Sequence, residues 1–266
     1  MLRIAGLSGY EAPIRDLVRS EWEPLTDELS VSKIGSLQAL KRGSGDAPRP
    51  SVLIATHMDA IGMMVTRIVD GFLHVTEIGG VDARVLPGQI VEVHGRETVS
   101  GVVVEPPAWL RPPDDQTGST SLDNLLVDTG LPPAKVDELV RLGDLVSFAS
   151  EPLDLGKQQL AGHSLDNRAS VAALTHALEL LQGRDHKWDV WAVATVQEEE
   201  TLGGAQTSGY ELQPDLGIAI DVTHGKAPGT PSDKSYALGG GPVLGMGPNI
   251  HPGVYKAVKE AADRIE

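Results

Sequence analysis

A chain of 266 residues, 41% of them hydrophobic, has material for a large core and suits one large domain, or one with a smaller companion. Its 37 acidic against 22 basic residues leave a formal charge of −15, which repels polyphosphate and argues against nucleic acid as a partner. There is no cysteine, so disulfides and thiolate metal sites are excluded, and His, Asp and Glu are the strong metal ligands on offer.

No apolar run approaches the roughly 18–20 residues that span a bilayer. The opening MLRIAGLSGYEAPIRDLV lacks the apolar block of a secretion signal, so no membrane partner is expected and the location reads as cytoplasmic. SGYEAPIRDLVRSEWEPL places Ile14, Leu17 and Val18 at helical spacing with Pro13 near the start, an amphipathic helix. SVLIATHMDAIGMMV begins with an unbroken apolar run, the pattern of a strand covered on both faces in a parallel or mixed sheet. From Val65 to Ser150 the texture changes to short β-rich pieces (TRIVDGFLHVTEIGG, GQIVEVHG, ETVSGVVVE, DLVSFAS) separated by turn residues, which predicts a small barrel or sandwich. Within it, PPAWLRPPDDQTG reads as a Pro-rich loop and PPAKVDELVRLG as a Pro-started helix.

Helical spacing returns with Val171, Leu174, Leu178 and Leu181 on one face and Gly183 as the stop. DVWAVATVQ and DLGIAIDVT read as further apolar strands, and GVYKAVKEAADRIE as a helix running to the chain end. The flanks alternate strand and helix while the middle does not, so the expected class is α/β interrupted by a β insertion: residues 1–63 and 158–266 as catalytic domain, 64–157 as insertion.

Three apolar strands end in residues of ligand type: LIAT leads to His57 and Asp59, VATVQ to Glu198 and Glu199, and IAI to Asp221. Sites of open α/β sheets lie beyond the carboxyl ends of the strands, so parallel strands would bring these groups to one rim. Asp166, at the start of the following helix, adds a fourth carboxylate. Each residue alone has an ordinary reading: His57 a hydrogen-bonded structural residue, Asp166 an N-cap, Glu198 to Glu200 a solvated loop, Asp221 a turn residue. Jointly, one imidazole and four carboxylates need counter-charge, and two divalent ions sharing a bridging carboxylate would supply it, which makes a dinuclear metal hydrolase the leading expectation.

The blocks THMDAIGMMV, GHSLDNRASV, VQEEETLGGAQ and AIDVTHG, in this order, resemble the signature blocks of metallopeptidase family forty-two, the dinuclear tetrahedral and glutamyl aminopeptidases. LSGYEAPIRDLV, GGVDARVLPGQIVEVHG, GDLVSFASEPLDLG and GGGPVLGMGPNIHP extend the resemblance over essentially the whole chain, while Thr201 and Gly203 stand where the family usually carries a Gly and a basic residue. The resemblance implies a zinc-peptidase-like catalytic domain, a mixed sheet flanked by helices, with an inserted small β-barrel-like domain used for homo-oligomer assembly, a dodecamer among the forms.

It further implies two divalent ions, zinc or cobalt, with His57 and Asp221 on one, Asp166 bridging and Glu199 on the second. Glu198 takes the role of general base and Asp59 that of orienting the His57 ring. The implied substrate is a peptide with a free N-terminus, whose first peptide bond is attacked by a water that the ions activate and Glu198 deprotonates. The family supplies one more His to the second ion from a segment beyond a further strand and helix. The sequence reaches Glu266 without it, which is read as a C-terminal truncation that puts this chain's activity in question and leaves Glu200, His224 and His251 outside the assignment. The alternatives are a non-catalytic assembly or peptide-binding protein and, against the adjacency of Glu198 and Glu199 and an aromatic content of 4%, a glycoside hydrolase of endoglucanase type.

Overall fold

The computed structural model describes residues 1–110, 120–156 and 158–265. In chain order the elements are helix α1 (Ala12–Trp22), strands β1 (Glu28–Val31), β2 (Leu37–Lys41), β3 (Ser51–His57), β4 (Gly62–Val69), β5 (Phe72–Ile78), β6 (Ile90–His94), β7 (Thr98–Val104) and β8 (Leu126–Asp128), then α2 (Pro133–Leu139) and β9 (Leu145–Phe148). They continue with β10 (Leu153–Gly156), β11 (Gln159–Ala161), α3 (Leu165–Leu180), β12 (Asp189–Thr195), α4 (Glu198–Thr201), α5 (Gly203–Leu212), β13 (Leu216–Ala219) and α6 (Pro252–Ala262). Residues 1–221 form one compact unit and the remainder a second.

The main sheet runs β1-β2-β12-β3-β13. β12 and β13 both lie parallel to β3, β2 pairs antiparallel with β12, and β1 antiparallel with β2. The alternation of side chains along a strand gives each face its own core. Ala192 and Ala194 of β12 meet Ile14, Val18 and Trp22 of α1 and Val171, Leu174 and Leu178 of α3, whereas Val193 turns to the other face with Leu53, Ala55 and Leu212 of α5. Truncating Leu174, 2% exposed at the centre of the larger cluster, is expected to cost about 2–5 kcal/mol. Urea unfolding of Leu174→Ala checks it through a lowered midpoint; an unchanged midpoint would contradict this packing.

The expectation of three apolar strands leaves out β1 and β2. β2 is buried along almost its whole length, but Gln38 interrupts its apolar pattern, and its amide donates to Ser208 Oγ (3.4 Å) and Glu211 Oε2 (3.2 Å) on α5. The single turn α4 and helix α5 are likewise absent from the sequence reading, because a triplet of glutamates and a Gly-Gly pair carry no apolar period.

Between β3 and the β10–β11 hairpin the chain builds a closed antiparallel barrel, β4-β5-β8-β7-β6-β9, around Met63, Val65, Leu73, Val91, Val93, Val103, Val127 and Val146. β4 turns into β5 through Asp70 and Gly71, both with positive φ (51° and 85°), the two-residue turn whose twist matches paired strands. Of the expected Pro-rich loop, residues 111–118 lie outside the described residues, and Ala108–Leu110 form one 3-10 turn.

From residue 222 onward the chain is mostly loop, including a bridge between Gly225 and Tyr236. α6 follows, its start capped by His251, whose Nδ1 accepts from the Val254 N–H. The helix expected to reach the chain end instead stops at Ala262. Among the described residues no helix is long and apolar enough to cross a membrane.

Candidate metal centre

Because β3, β12 and β13 are parallel, their carboxyl ends open on the same rim, and the in-register pair Thr195 and His57 fixes how far each strand reaches. His57 is the last residue of β3, with its side chain 2% exposed. Its Nε2 faces three carboxylates from three separate segments: Asp166 Oδ1 at 3.0 Å, Glu198 Oε2 at 3.6 Å and Asp221 Oδ1 at 3.6 Å. Its Nδ1 lies 3.4 Å from Oδ1 of Asp59, which is wholly buried.

Each acid is held by its backbone. Asp166 sits at φ −78°, ψ 106°, outside helical geometry, joined to Asn167 by a cis peptide bond, and regular helix begins after Asn167. Its carboxylate turns to His57. Asn167 ties this segment to the third strand end by donating its side-chain N–H to Ile220 O at 2.8 Å, one residue before Asp221. Glu198 and Glu199 open α4 after Gln197, whose φ of 55° is left-handed, and their backbone N–H groups both donate to Asp59, at 3.2 Å each. Asp59 thus links the turn bearing two acids to the imidazole.

The donor set fits a cation. One Nε2 cannot satisfy three carboxylate oxygens, and oxygen and imidazole donors are what zinc and related divalent ions accept. Two overlapping triplets, His57 with Glu198 and Asp221, and His57 with Asp166 and Glu199, bring their ligand atoms within 4.8 Å of one another. Asp59 belongs to neither.

Titration reflects the crowding. Burial favours neutral His57, but the hydrogen bond with Asp166 and the nearby carboxylates of Asp221 and Asp59 outweigh it and push the imidazole up to about 12. Glu199 is pushed up to about 7, first by burial and then by the charge of Asp166. Burial also raises Glu198, with Asp221, Asp59 and Asp166 adding to the effect and His57 opposing it.

Several contributors carry no sequence signal. Arg168 is buried at 1% exposure and spends its guanidinium on backbone carbonyls of Met58, Met1, Ile4 and Gly6, so it braces the segment between His57 and Asp59. Burial lowers it to about 10, against the charge of Asp59. Glu11, next to the first helix, is also buried and accepts from the Gln197 N–H. Glu200, left outside the assignment, accepts from the N–H of Gly79 at 2.7 Å and so joins the acid turn to the barrel. Gly79 has φ 72°, and a Cβ there would stand 2.6 Å from Ile61 Cγ2, which leaves glycine as the residue that fits.

Fold and site together define a class: an α/β protein with an imidazole and carboxylate cluster at the carboxyl ends of its parallel strands and a closed barrel between the segments that supply it. Residues 35–266 match the profile of the M42 glutamyl aminopeptidase family, and the chain belongs to that family. A lysyl aminopeptidase from Pyrococcus furiosus is 37% identical over 98% of this chain and 75% of its own length. The structure of an aminopeptidase from the archaeon Desulfurococcus kamchatkensis matches with a TM-score of 0.87 at 32% identity, over 99% of this chain and 75% of that one. The TET1 peptidase of Pyrococcus horikoshii, which can assemble into a tetrahedron or a large octahedral shell, matches with a TM-score of 0.74 at 29% identity, over 85% of this chain and 68% of that one.

Proposed function

We propose that this chain is a cytoplasmic, self-assembling, metal-dependent aminopeptidase that hydrolyses the first peptide bond of peptides with a free N-terminus. The observation that carries the reading is the meeting of His57 with Asp166, Glu198, Glu199 and Asp221 on one rim in a member of an aminopeptidase family. His57 and Asp221 would hold one divalent ion, Asp166 would bridge, and Glu199 would hold a second, with zinc or cobalt suited to these donors. When bound, the ions supply Lewis acidity toward a water and the substrate carbonyl.

The remaining steps belong to the chain's own side chains. Glu198 takes a proton from the attacking water as its oxygen bonds to the carbonyl carbon. It then gives that proton to the departing amide nitrogen as the carbon–nitrogen bond breaks. Burial raises its carboxyl above the usual range, which favours a group that holds a proton between the two steps. Asp59 holds the His57 ring, and the surrounding carboxylates attract the ammonium group of the substrate, which favours cleavage at the chain start. The barrel, residues 64–157 with its connections, is read as the assembly domain, supported by the self-assembling TET1 neighbour.

Chelation followed by reloading tests the reading. An aminoacyl p-nitroanilide should be cleaved by the zinc- or cobalt-loaded protein and not after chelation, with activity restored on titrating metal back. Protons on His57 and Glu199 must leave before metal binds, so apparent metal affinity should rise with pH, most steeply below the Glu199 value of about 7, where both protons are displaced, and less steeply above it, where the His57 proton alone is. Tight metal binding with no cleavage would favour the non-catalytic, peptide-binding alternative; cleavage indifferent to chelation would remove the metal.

A further inference from the structure

Three consecutive backbone N–H groups lead into the turn that carries the proposed base, and carboxylates from distant parts of the chain hold all three. Asp59 takes those of Glu198 and Glu199; Oε1 of Glu11 takes that of Gln197 at 3.0 Å. The same Glu11 oxygen accepts from the Gly9 N–H at 2.7 Å, which closes the loop ahead of α1. Glu11 is 4% exposed, an unusual position for an acid with no cationic partner within salt-bridge distance among the described residues. Gln197 holds φ 55° and ψ 35°, a left-handed conformation that a residue with a side chain adopts when its surroundings impose it. Glu198 follows directly, so the backbone of Gln197 sets the direction in which its carboxylate leaves the sheet.

We infer that Glu11 is a positioning residue for the peptidase reaction: by gripping the Gln197 amide it keeps this turn in the conformation that aims Glu198 at the attacking water. The inference rests on the reading of Glu198 as base. What the turn uses is an acceptor oxygen at a set distance. Glutamine supplies one, aspartate is a methylene too short to reach, and leucine supplies none. Leucine is also sterically reasonable, because Glu11 borders a cavity of about 450 Å³ shared with Leu7, Tyr10, Ile34 and Leu145.

The test compares Glu11→Gln, Glu11→Asp and Glu11→Leu in the metal-loaded protein, reading kcat and KM on an aminoacyl p-nitroanilide and bound metal per chain. Hydrogen exchange at the Gln197 amide is read in the metal-free protein. A misaimed base costs turnover and leaves binding alone, so the Leu and Asp variants should lose about 10- to 100-fold in kcat. Their KM and metal content should stay within about twofold of the parent, while the Gln variant keeps kcat within about threefold. Exchange at Gln197 should quicken at least about tenfold in the Leu and Asp variants and not in the Gln variant.

Parent-like kcat in the Leu or Asp variant, a Gln variant as slow as the Leu variant, or unchanged Gln197 exchange would each overturn the positioning role. If the Leu variant does not fold, the contrast between Asp and Gln decides. Glu198→Gln run in parallel separates the two readings: activity kept there removes the base itself, whereas activity lost there and kept in Glu11→Asp removes only the role of Glu11.

Discussion

Glu198→Gln should abolish nearly all turnover while the protein keeps its fold and its metal. Removing a positioned acid–base group costs roughly 10²–10⁴-fold in rate, or about 2.7–5.4 kcal/mol of barrier. The substitution is nearly isosteric, and the backbone N–H of Glu198 stays on Asp59, so neither the turn nor the remaining donors has reason to move. The two outcomes worth separating are written in the geometry. Glu198 Oε2 stands 3.6 Å from His57 Nε2 and falls in one triplet with His57 and Asp221, a placement compatible with a ligand as well as a base. Metal content measured beside kcat distinguishes them. A base lost leaves metal content as in the parent and turnover gone; a ligand lost lowers metal content, and activity returns in part at high metal concentration.

The legible part of this site was the part tied to strand ends. An apolar run followed by a polar residue locates the rim of a sheet, and three such runs point to His57, Glu198, Glu199 and Asp221, provided the strands are parallel, as β3, β12 and β13 are. The barrel could be anticipated for a similar reason, since Asp-Gly between alternating apolar residues dictates a hairpin locally.

What stayed hidden depends on groups far apart in sequence. Glu11 and Gln197 are 186 residues apart, and nothing in SGYEAP marks an acid that will be buried against the active turn. Gln38 conceals β2 because its partners, Ser208 and Glu211, lie on a helix more than a hundred residues later. Arg168 looks like a surface cation at the start of a helix, yet it is one of the most deeply buried side chains, because four backbone carbonyls around it replace water. Local pattern reports where the chain turns polar; it does not report which polar group a folded neighbour will claim.

Asp59→Asn is expected to act differently from any change at Glu198, by loosening the metal site. The wild-type carboxylate has two oxygens and uses both: Oδ1 accepts from the Glu198 N–H and faces His57 Nδ1, and Oδ2 accepts from the Glu199 N–H. Asparagine keeps the shape but turns one oxygen into an NH2 group. In either rotamer a donor then confronts a donor, at the Glu199 amide or at the Glu198 amide and the imidazole. With Asp59 wholly buried, no bulk water can replace the missing acceptor, and the cost in stability is about 1–3 kcal/mol. The ring of His57 also loses the charge that orients it, and loss of such a partner weakens metal binding about 10- to 100-fold. Zinc titration calorimetry on the folded variant reads that loss, and added metal should recover much of the activity, as it would not for a missing base. Zinc affinity equal to that of the parent, in a variant that has lost activity, would detach Asp59 from the metal and leave it a support of the Glu198 turn alone.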